Sequence, residues 1–356
     1  MTSFLNVPFL PDPQYAFFLA ENVAALESIH FELPGRHGFD SRVRFDHTEL
    51  ELTLDLLDTI TGPRRYVLLN SRFYSPALFT GSDNLRELVE ILDHCASRVG
   101  LDGIIYSDHY LLQLLADAAP ELGAALEAVP SVNTMMDSFA RVRAQLGYIR
   151  ETGFRLPAKI ILDRSLNRDL DRLAAIGLQR DQELPQIGLE LLANEGCLPF
   201  CPYKLSHDAY IAFSNLTGRD CTYHMNRGLG CMRLVERQPH RLLQSPFIRP
   251  EDTDLYLYHV ESIKICGRTL GPEFLTRTVA AYIEHRWEGN LLELLDAMYH
   301  LSERLYVDNR GLSFDFANIL SMCAHQCDEC GFCEELFETI SRPLPLTLQD
   351  RRVAVD

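Results

Sequence analysis

The chain has 356 residues, of which 47% are hydrophobic and 23% charged, and its 50 acidic against 33 basic side chains give a net charge of −17. This composition is typical of a globular protein and excludes disorder, collagen and coiled coil as the main architecture. The negative charge makes nucleic acid and anionic lipid unfavourable partners, and no apolar run approaches the ~20 residues of a membrane span. The N-terminal MTSFLNVPFLPDPQYAFF lacks the basic start and continuous apolar stretch of a signal peptide, so we expect a cytoplasmic protein.

Short β-rich runs alternate with amphipathic runs along the chain. An aromatic N-terminal segment, 9–18 (FLPDPQYAFF), is expected to pack in the core. Eight candidate strands follow, at 28–33, 65–70, 103–107, 126–132, 159–163, 186–192, 243–248 and 262–266. Runs such as Ile160-Ile161-Leu162 are apolar without alternation, which is typical of strands covered on both faces. Helical periodicity lies between strands at 84–97, 135–152 and 166–177.

Eight β/α units predict an α/β protein with a (β/α)8 TIM-like barrel at residues 1–290. An open doubly wound sheet is the alternative. From 272 onward the pattern is helical, in 272–287 (PEFLTRTVAAYIEHRW) and 290–306 (NLLELLDAMYHLSERLY). We therefore predict a helical, cysteine-rich C-terminal extension at 291–356.

Polar side chains follow the predicted strands. They include Asp40, Arg42, Arg72, Asp108, His109, Asn133, Asp163, Arg164, Glu195, Arg249 and Arg268. Each one alone suits a helix cap or a loop. Because active-site groups of a barrel lie at the carboxyl ends of its strands, their recurrence predicts one shared polar mouth.

The cysteines are unevenly placed, since nine of the ten lie after residue 196 and Cys95 stands alone in a helical pattern. The segment 194–207 (NEGCLPFCPYKLSH) follows the sixth predicted strand and contains Cys197 and Cys201, and Cys221 and Cys231 complete a set of four. In a reducing compartment, clustered cysteines indicate metal ligands more often than disulfides. Four thiolates suit an iron–sulfur cluster or structural zinc, and buried unligated cysteines are the remaining alternative.

Four blocks of the sequence resemble the collagenase-like U32 peptidase family. They are 189–215, 243–287, the strand end VPSVN (129–133) and KIILDRSLN (159–167). The family has a cysteine-bearing loop, an "NS-K-DL" type segment and a "KIEGR" type segment, which here read SPFIRPED (245–252) and KICGR (264–268). The resemblance spans about residues 25–290 and is specific in 186–290.

The resemblance implies a barrel-like fold and, despite the peptidase name, a cysteine-ligated [4Fe–4S] cluster. Well-understood members take part in oxygen-independent hydroxylation of ubiquinone precursors, transfer RNA or ribosomal RNA. Cys197 and Cys201 match the first cluster cysteines, and Cys221 or Cys231 matches the third. Cys266 stands where the family usually has Glu, so the fourth ligand is either Cys266 or the second of the pair Cys221 and Cys231.

A second cysteine set lies at the C-terminus, where Cys323, Cys327, Cys330 and Cys333 fall within eleven residues. These spacings resemble ferredoxin-type runs and favour a second iron–sulfur cluster, with zinc as the alternative. The first three cysteines also have the radical-SAM spacing, but at the opposite end of the chain from that motif's usual place. The resemblance to the U32 family does not explain this set.

The leading hypothesis is an iron–sulfur redox enzyme that performs oxygen-independent hydroxylation or related cluster-assisted chemistry on a small organic or peptide-borne substrate. Its expected ligands are Cys197, Cys201, Cys221 and Cys231, with the C-terminal four as a second site. Guanidinium groups match carboxylates, so Arg72, Arg164, Arg249 and Arg268 are candidate substrate-binding residues. The candidate proton-transfer groups are His109, Asp108 and Glu195.

Two rival functions use the same residues differently. A peptidase could pair Cys197 or Cys201 with His207 or His109, although a cluster ligand is not a free nucleophile. A non-catalytic iron–sulfur subunit of a heterodimer would pass electrons to a protein partner. The sequence has no Walker A loop and no G-x-G-x-x-G after a strand, so no motif supports a nucleotide cofactor.

Overall fold

The computed structural model describes residues 3–33, 39, 41–42 and 50–345, so Asp40 lies outside the described residues. Eight strands form one parallel sheet. They are β1 (Leu5–Pro8), β2 (Leu26–Glu32), β3 (Arg64–Leu69), β4 (Gly103–Tyr106), β5 (Glu127–Pro130), β6 (Lys159–Ile161), β7 (Gly188–Leu192) and β8 (Ser262–Lys264).

The sheet curls into a barrel in chain order. Its strands lie side by side as β5-β4-β3-β2-β1-β8-β7-β6. A parallel bridge between Glu127 and Arg155 joins β5 to the segment before β6, and the amide of Ala158 donates to the Glu127 carboxylate at 3.0 Å. These contacts bring the two outer strands together. They confirm the predicted (β/α)8 barrel over the open sheet.

Helices surround the barrel and continue beyond it. They are α1 (Pro13–Glu21), α2 (Leu50–Asp58), α3 (Pro76–Thr80), α4 (Ser82–Val99), α5 (His109–Ala118), α6 (Pro120–Ala125), α7 (Phe139–Thr152), α8 (Leu170–Glu183), α9 (Lys204–Thr217), α10 (Thr222–Gly228), α11 (Cys231–Arg237), α12 (Thr253–Leu257), α13 (Pro272–Ile283), α14 (Phe316–Ser321), α15 (Cys327–Cys330) and α16 (Phe332–Ile340). Helix α4 buries Leu88, Leu92 and Cys95 on one face, as its helical spacing predicts. Within the described ranges, no helix is long and apolar enough to cross a membrane.

One predicted strand is wrong and one strand was not predicted, so the count of eight strands in the barrel is nevertheless right. Leu5–Pro8 is the first strand and pairs with both β2 and β8. It has only four residues and ends in proline, which argues against a central strand, so the local sequence does not predict it. The segment 243–248 is not a strand, because Pro239–Gln244 forms a 3-10 helix and Pro246 has no N–H for a ladder. Strand β7 pairs directly with β8, and no further strand of the sheet lies between them in the described chain. The cysteine loop is the first part of this long connection and begins at the end of β7.

The barrel interior combines an apolar layer with a buried polar network. Tyr66, Leu68, Ile105, Val129, Ile161 and Leu192 belong to the apolar layer. In the network, Lys159 donates to Glu190, Asn6 donates to the same carboxylate at 2.8 Å, and the Lys264 amine lies 3.0 Å from Nδ1 of His30. Buried charges require such partners, which a closed barrel supplies from several strands.

The chain after α13 is less helical than its sequence predicts. The run 290–306 forms two 3-10 helices, Leu291–Glu293 and Asp296–Leu301, followed by strand β9 (Leu305–Val307), which pairs with β10 (Ser341–Pro343). Leu291, Leu292, Leu294 and Leu295 are all buried. Leu291, Leu292 and Leu295 pack in a second apolar cluster that also contains Leu198, Leu243 and Phe247. The domain boundary near residue 290 stays a prediction.

Candidate functional site at the barrel mouth

The cysteine loop after β7 is held in place by one asparagine. The Asn194 side chain donates to the carbonyl oxygen of Cys266 at 2.9 Å and accepts from the Cys266 amide at 2.8 Å. Gly196 follows with φ of +75°, and a Cβ there would lie 3.2 Å from Leu295. This left-handed turn therefore favours glycine, and it directs the chain into Cys197 and Cys201.

Four thiols form a connected group at this point, which we call the mouth thiols: Cys197, Cys201, Cys231 and Cys266. The thiolate of Cys201 acts electrostatically on both Cys197 and Cys231, and Cys197 acts on Cys266. Burial raises the pKa of Cys197, against the opposing charges of Arg164, Arg42 and Lys204. Burial, and then the charge of Asp296, raises the pKa of Cys266 far above its usual range. The free thiols of Cys197 and Cys266 are therefore protonated near neutral pH.

Cys221 occupies a different environment from the mouth thiols. It precedes α10 and shares a 3.3 Å hydrogen bond with the Ser214 hydroxyl on α9. Of the predicted ligands Cys197, Cys201, Cys221 and Cys231, the last keeps its electrostatic contact with Cys201, and Cys266 joins the group through Cys197. The assignment of Cys221 as a ligand stays a prediction.

A buried ion-pair network lies beside the mouth thiols. Arg164 donates to Glu195, and Arg42 contacts Glu195 at 3.5 Å and Asp296 at 2.6 Å. Glu195 is buried, so its carboxylate is held between two guanidinium groups. Glu195 thereby holds Arg164 in the neighbourhood of Cys197.

Lys204, one turn after Cys201, reaches the opposite side of the mouth. Its amine donates to Asp208 and to Oδ1 of Asn133 at 2.9 Å, while Arg72 donates to the Asn133 carbonyl oxygen at 3.1 Å. Burial, followed by the neighbouring Arg164 charge, lowers the pKa of Lys204 to about 8. The amine can therefore gain or lose a proton near neutral pH.

Asp108 and His109 begin helix α5. Asp108 caps the helix by accepting from the Tyr110 amide at 2.8 Å, and burial raises its pKa. His109 lies near the rings of Tyr106 and Tyr148, and burial lowers its pKa. Nδ1 of His109 is buried and has no hydrogen-bond partner among the described residues.

The two remaining predicted arginines are engaged by protein groups. Arg249 forms a two-point ion pair with Asp252, with both distances 2.7 Å, and its guanidinium also donates to the carbonyl oxygens of Leu312 and Ser313. Arg268 lies 3.5 Å from the Glu32 carboxylate. Of the four arginines predicted to bind substrate, Arg72 and Arg164 are the ones placed with Lys204 and the mouth thiols.

The structure also groups the C-terminal cysteines. Cys323, Cys327, Cys330 and Cys333 all line a cavity of about 1030 Å³ between α16, α14 and the 3-10 helix Pro239–Gln244. This cavity is separate from the Arg164–Glu195 pair.

Neither set of thiols is arranged for a single ion. In the part of the chain that the structure describes, no three Cys, His, Asp or Glu side chains converge closely enough to hold one metal ion. Tetrahedral zinc needs four ligands within about 2.3 Å of one point. An iron–sulfur cluster is instead ligated at its separate iron corners, so its cysteines surround a larger body. Four thiols are the donor set that an iron–sulfur cluster takes, so the mouth thiols suit a cluster in their chemistry.

Sequence reasoning missed two acidic members of the mouth. Asp208 lies one helical turn after Lys204, and this i,i+4 spacing was the available signal. Asp296 comes from the segment misread as a helix, so no local pattern placed it beside Arg42.

Comparisons with known proteins were made on sequence and on structure. No protein-family model matches the chain. Over 242 residues the chain is 31% identical to a Methanocaldococcus jannaschii protein named "uncharacterized protease MJ1657", and the match covers 67% of this chain. The match spans 66% of that relative, just under two thirds of its length. The solved structure of the U32 peptidase Mk0906 matches with a TM-score of 0.47 and 17% identity, over 65% of this chain and 85% of that chain. In sequence the chain is therefore similar to a protein named as a protease, and its blocks 189–215 and 243–287 resemble the U32 peptidase family.

Proposed function

We propose that this protein is an iron–sulfur redox enzyme with a [4Fe–4S] cluster at the barrel mouth. The observation that carries the proposal is the connected group of four mouth thiols, which come from three separate segments of the chain. The proposed ligands are Cys197, Cys201, Cys231 and Cys266, with Cys221 as the alternative to Cys266. When bound, such a cluster accepts or donates single electrons.

The surrounding charges suit an anionic centre. Four thiolates around a cluster are negatively charged, and Arg164, Arg42 and Lys204 all act on Cys197 as cations. Ligation requires thiolates, so binding must remove protons from thiols whose pKa values burial has raised. The three cations lower the free-energy cost of that deprotonation.

The same mouth can bind an anionic substrate and transfer a proton to it. Arg72 and Lys204 flank Asn133, and a carboxylate between them would form charge-assisted hydrogen bonds. Lys204, with its pKa near 8, is suited to general acid–base work. We propose a small organic or peptide-borne anion as the substrate. The proposed reaction class is oxygen-independent hydroxylation or a related cluster-assisted step.

A peptidase is the second candidate, favoured by the name of the Methanocaldococcus jannaschii relative. A cysteine peptidase needs a thiolate beside an imidazole base. Nε2 of His207 instead lies 2.9 Å from the amide nitrogen of Asn226, and His109 lies near Tyr106 and Tyr148. The raised thiol pKa of Cys197 also disfavours a free nucleophile. These contacts support the redox function over the peptidase.

The first test is metal content after anaerobic purification. The Cys197→Ser variant should lose about four iron and four sulfide per chain relative to the natural sequence. Cys95→Ala is the matched control, because Cys95 is buried on α4 and should keep all its iron. Equal iron in the three proteins would contradict a cluster at Cys197.

The fourth ligand is settled by comparing Cys266→Ser with Cys221→Ser. Loss of the cluster signal in the first and its retention in the second would support Cys266. Peptide hydrolysis that persists after chelation of the iron, but is lost in a Cys197 or His207 variant, would support the peptidase instead.

A further inference from the structure

The four C-terminal cysteines share one neighbourhood. Burial, and then the nearby thiols of Cys323, Cys327 and Cys330, raise the pKa of Cys333 to about 11. The backbone amide of His325 donates to Sγ of Cys323 at 3.4 Å. Amide donors of this kind tune the sulfurs of iron–sulfur centres. All four thiols line the same cavity of about 1030 Å³, so they surround a space and do not converge on one point.

The inner wall of that cavity carries a buried cation. Arg168 lines the cavity and is 5% exposed, and among the described residues no carboxylate forms an ion pair with it. Its Nε is buried without a hydrogen-bond partner in the described part of the chain, and the anions that act on the guanidinium are groups outside an ion pair with it, namely Tyr256, Asp252 and Cys333. Burial of an uncompensated charge is costly. An anionic group in the cavity would supply a counter-charge closer than that of Asp252.

The cavity also adjoins the cysteine loop of the barrel mouth. Phe200, next to Cys201, and His325, between Cys323 and Cys327, place their ring centroids 5.4 Å apart. A second connection runs through Ser245, whose carbonyl oxygen accepts from Arg168 at 2.6 Å. The Ser245 hydroxyl donates to the carbonyl oxygen of Cys197 at 2.8 Å. Ser245 thus links Arg168 in the cavity wall to Cys197 at the barrel mouth.

We propose that Cys323, Cys327, Cys330 and Cys333 hold a second iron–sulfur cluster, charge-balanced by Arg168, through which single electrons reach the barrel mouth. Cys327 and Cys330 are exposed, so a redox partner can approach this side. Because all four ligands are thiols, no iron of the cluster would be left open for S-adenosylmethionine.

The transfer balances as a one-electron exchange. A reduced ferredoxin-type carrier gives one electron to the C-terminal cluster, which passes one electron to the cluster at the mouth. No bond breaks, and no proton is needed. The second half of this step rests on the proposed function, whereas cluster binding at the C-terminus does not.

The test compares the full chain with two variants after anaerobic reconstitution with iron and sulfide. Cys327→Ser with Cys330→Ser removes two exposed ligands and leaves the buried side chains of the fold intact, and Cys197→Ser removes a mouth ligand. We expect about eight iron in the natural chain and about four in each variant. Electron paramagnetic resonance of the reduced proteins should show a different remaining signal in the two variants.

The outcomes separate the two centres. Unchanged iron in the Cys327/Cys330 variant, or one zinc per chain that this variant loses, would overturn the second cluster. Iron that Cys197→Ser keeps and the Cys327/Cys330 variant loses would refute the mouth cluster but sustain the C-terminal one.

The relay has its own readout. Reduction of the mouth cluster by a reduced ferredoxin should slow at least tenfold in the Cys327/Cys330 variant, while Cys95→Ala should match the natural chain. An unchanged rate would overturn electron entry through this site.

Arg168→Met should lower the reduction potential of the C-terminal cluster, and Arg168→Lys should restore most of it. A potential that is equal in all three proteins would refute the counter-charge role.

Discussion

Arg249 distinguishes a structural cation from a substrate-binding one. Its guanidinium is 2% exposed, holds both oxygens of Asp252 at 2.7 Å and lies 5.4 Å from the Phe316 ring. Arg249→Ala would leave the buried Asp252 carboxylate unpaired, and breaking such a pair costs about 3–5 kcal/mol. With an unfolding entropy of about 2.1 cal/mol/K per residue, or about 0.75 kcal/mol/K for the whole chain, the apparent Tm should fall by roughly 4–7 °C.

Urea unfolding followed by circular dichroism measures this loss. The double variant Arg249→Met with Asp252→Leu should recover most of it, because replacing both charges by apolar groups removes the unpaired carboxylate. Arg98→Ala is the matched control, since its 2.6 Å pair with Asp55 is exposed and should cost less than about 1 kcal/mol. A loss below about 1 kcal/mol for Arg249→Ala, with weakened substrate binding, would refute the structural role and restore the role predicted from sequence.

The remaining predictions concern the barrel interior. Burial lowers the pKa of Lys264 to about 7, so between pH 7 and 10 the unfolded chain binds more protons at this group than the folded chain. The free energy of unfolding of the natural chain, relative to Lys264→Met, should therefore rise with pH across that window, by at most about 1.4 kcal/mol per pH unit; a flat difference would contradict a buried neutral amine. Gly267 has φ of +119°, and a Cβ there would meet the buried Phe274 ring at 2.1 Å, so Gly267→Ala should cost about 2–4 kcal/mol in urea unfolding. Gly100→Ala, also at positive φ but in open space, should cost only about 1–2 kcal/mol, and equal losses in the two variants would refute the steric argument.

Local patterns in the sequence determined most of the barrel. Local patterns predict β3, β4 and β6 from their apolar runs, and they predict α4 from its helical periodicity. This works because the burial pattern of a strand and the apolar face of a helix repeat within a few residues. Turn chemistry and the cysteine spacings likewise placed Cys197 and Cys201 directly after a strand. The family blocks added the expectation of a cluster at that loop.

Tertiary structure alone decided which side chains meet. Strand β1 is short and ends in proline, so only its two partner strands identify it. Asp296 reaches Arg42 across 254 residues, and Arg249 turns to Asp252 and the carbonyl oxygens of 312 and 313 instead of to the mouth. Such pairings depend on which chain segments the closed barrel brings together. Spacing along the chain carries no information about contacts formed across that distance.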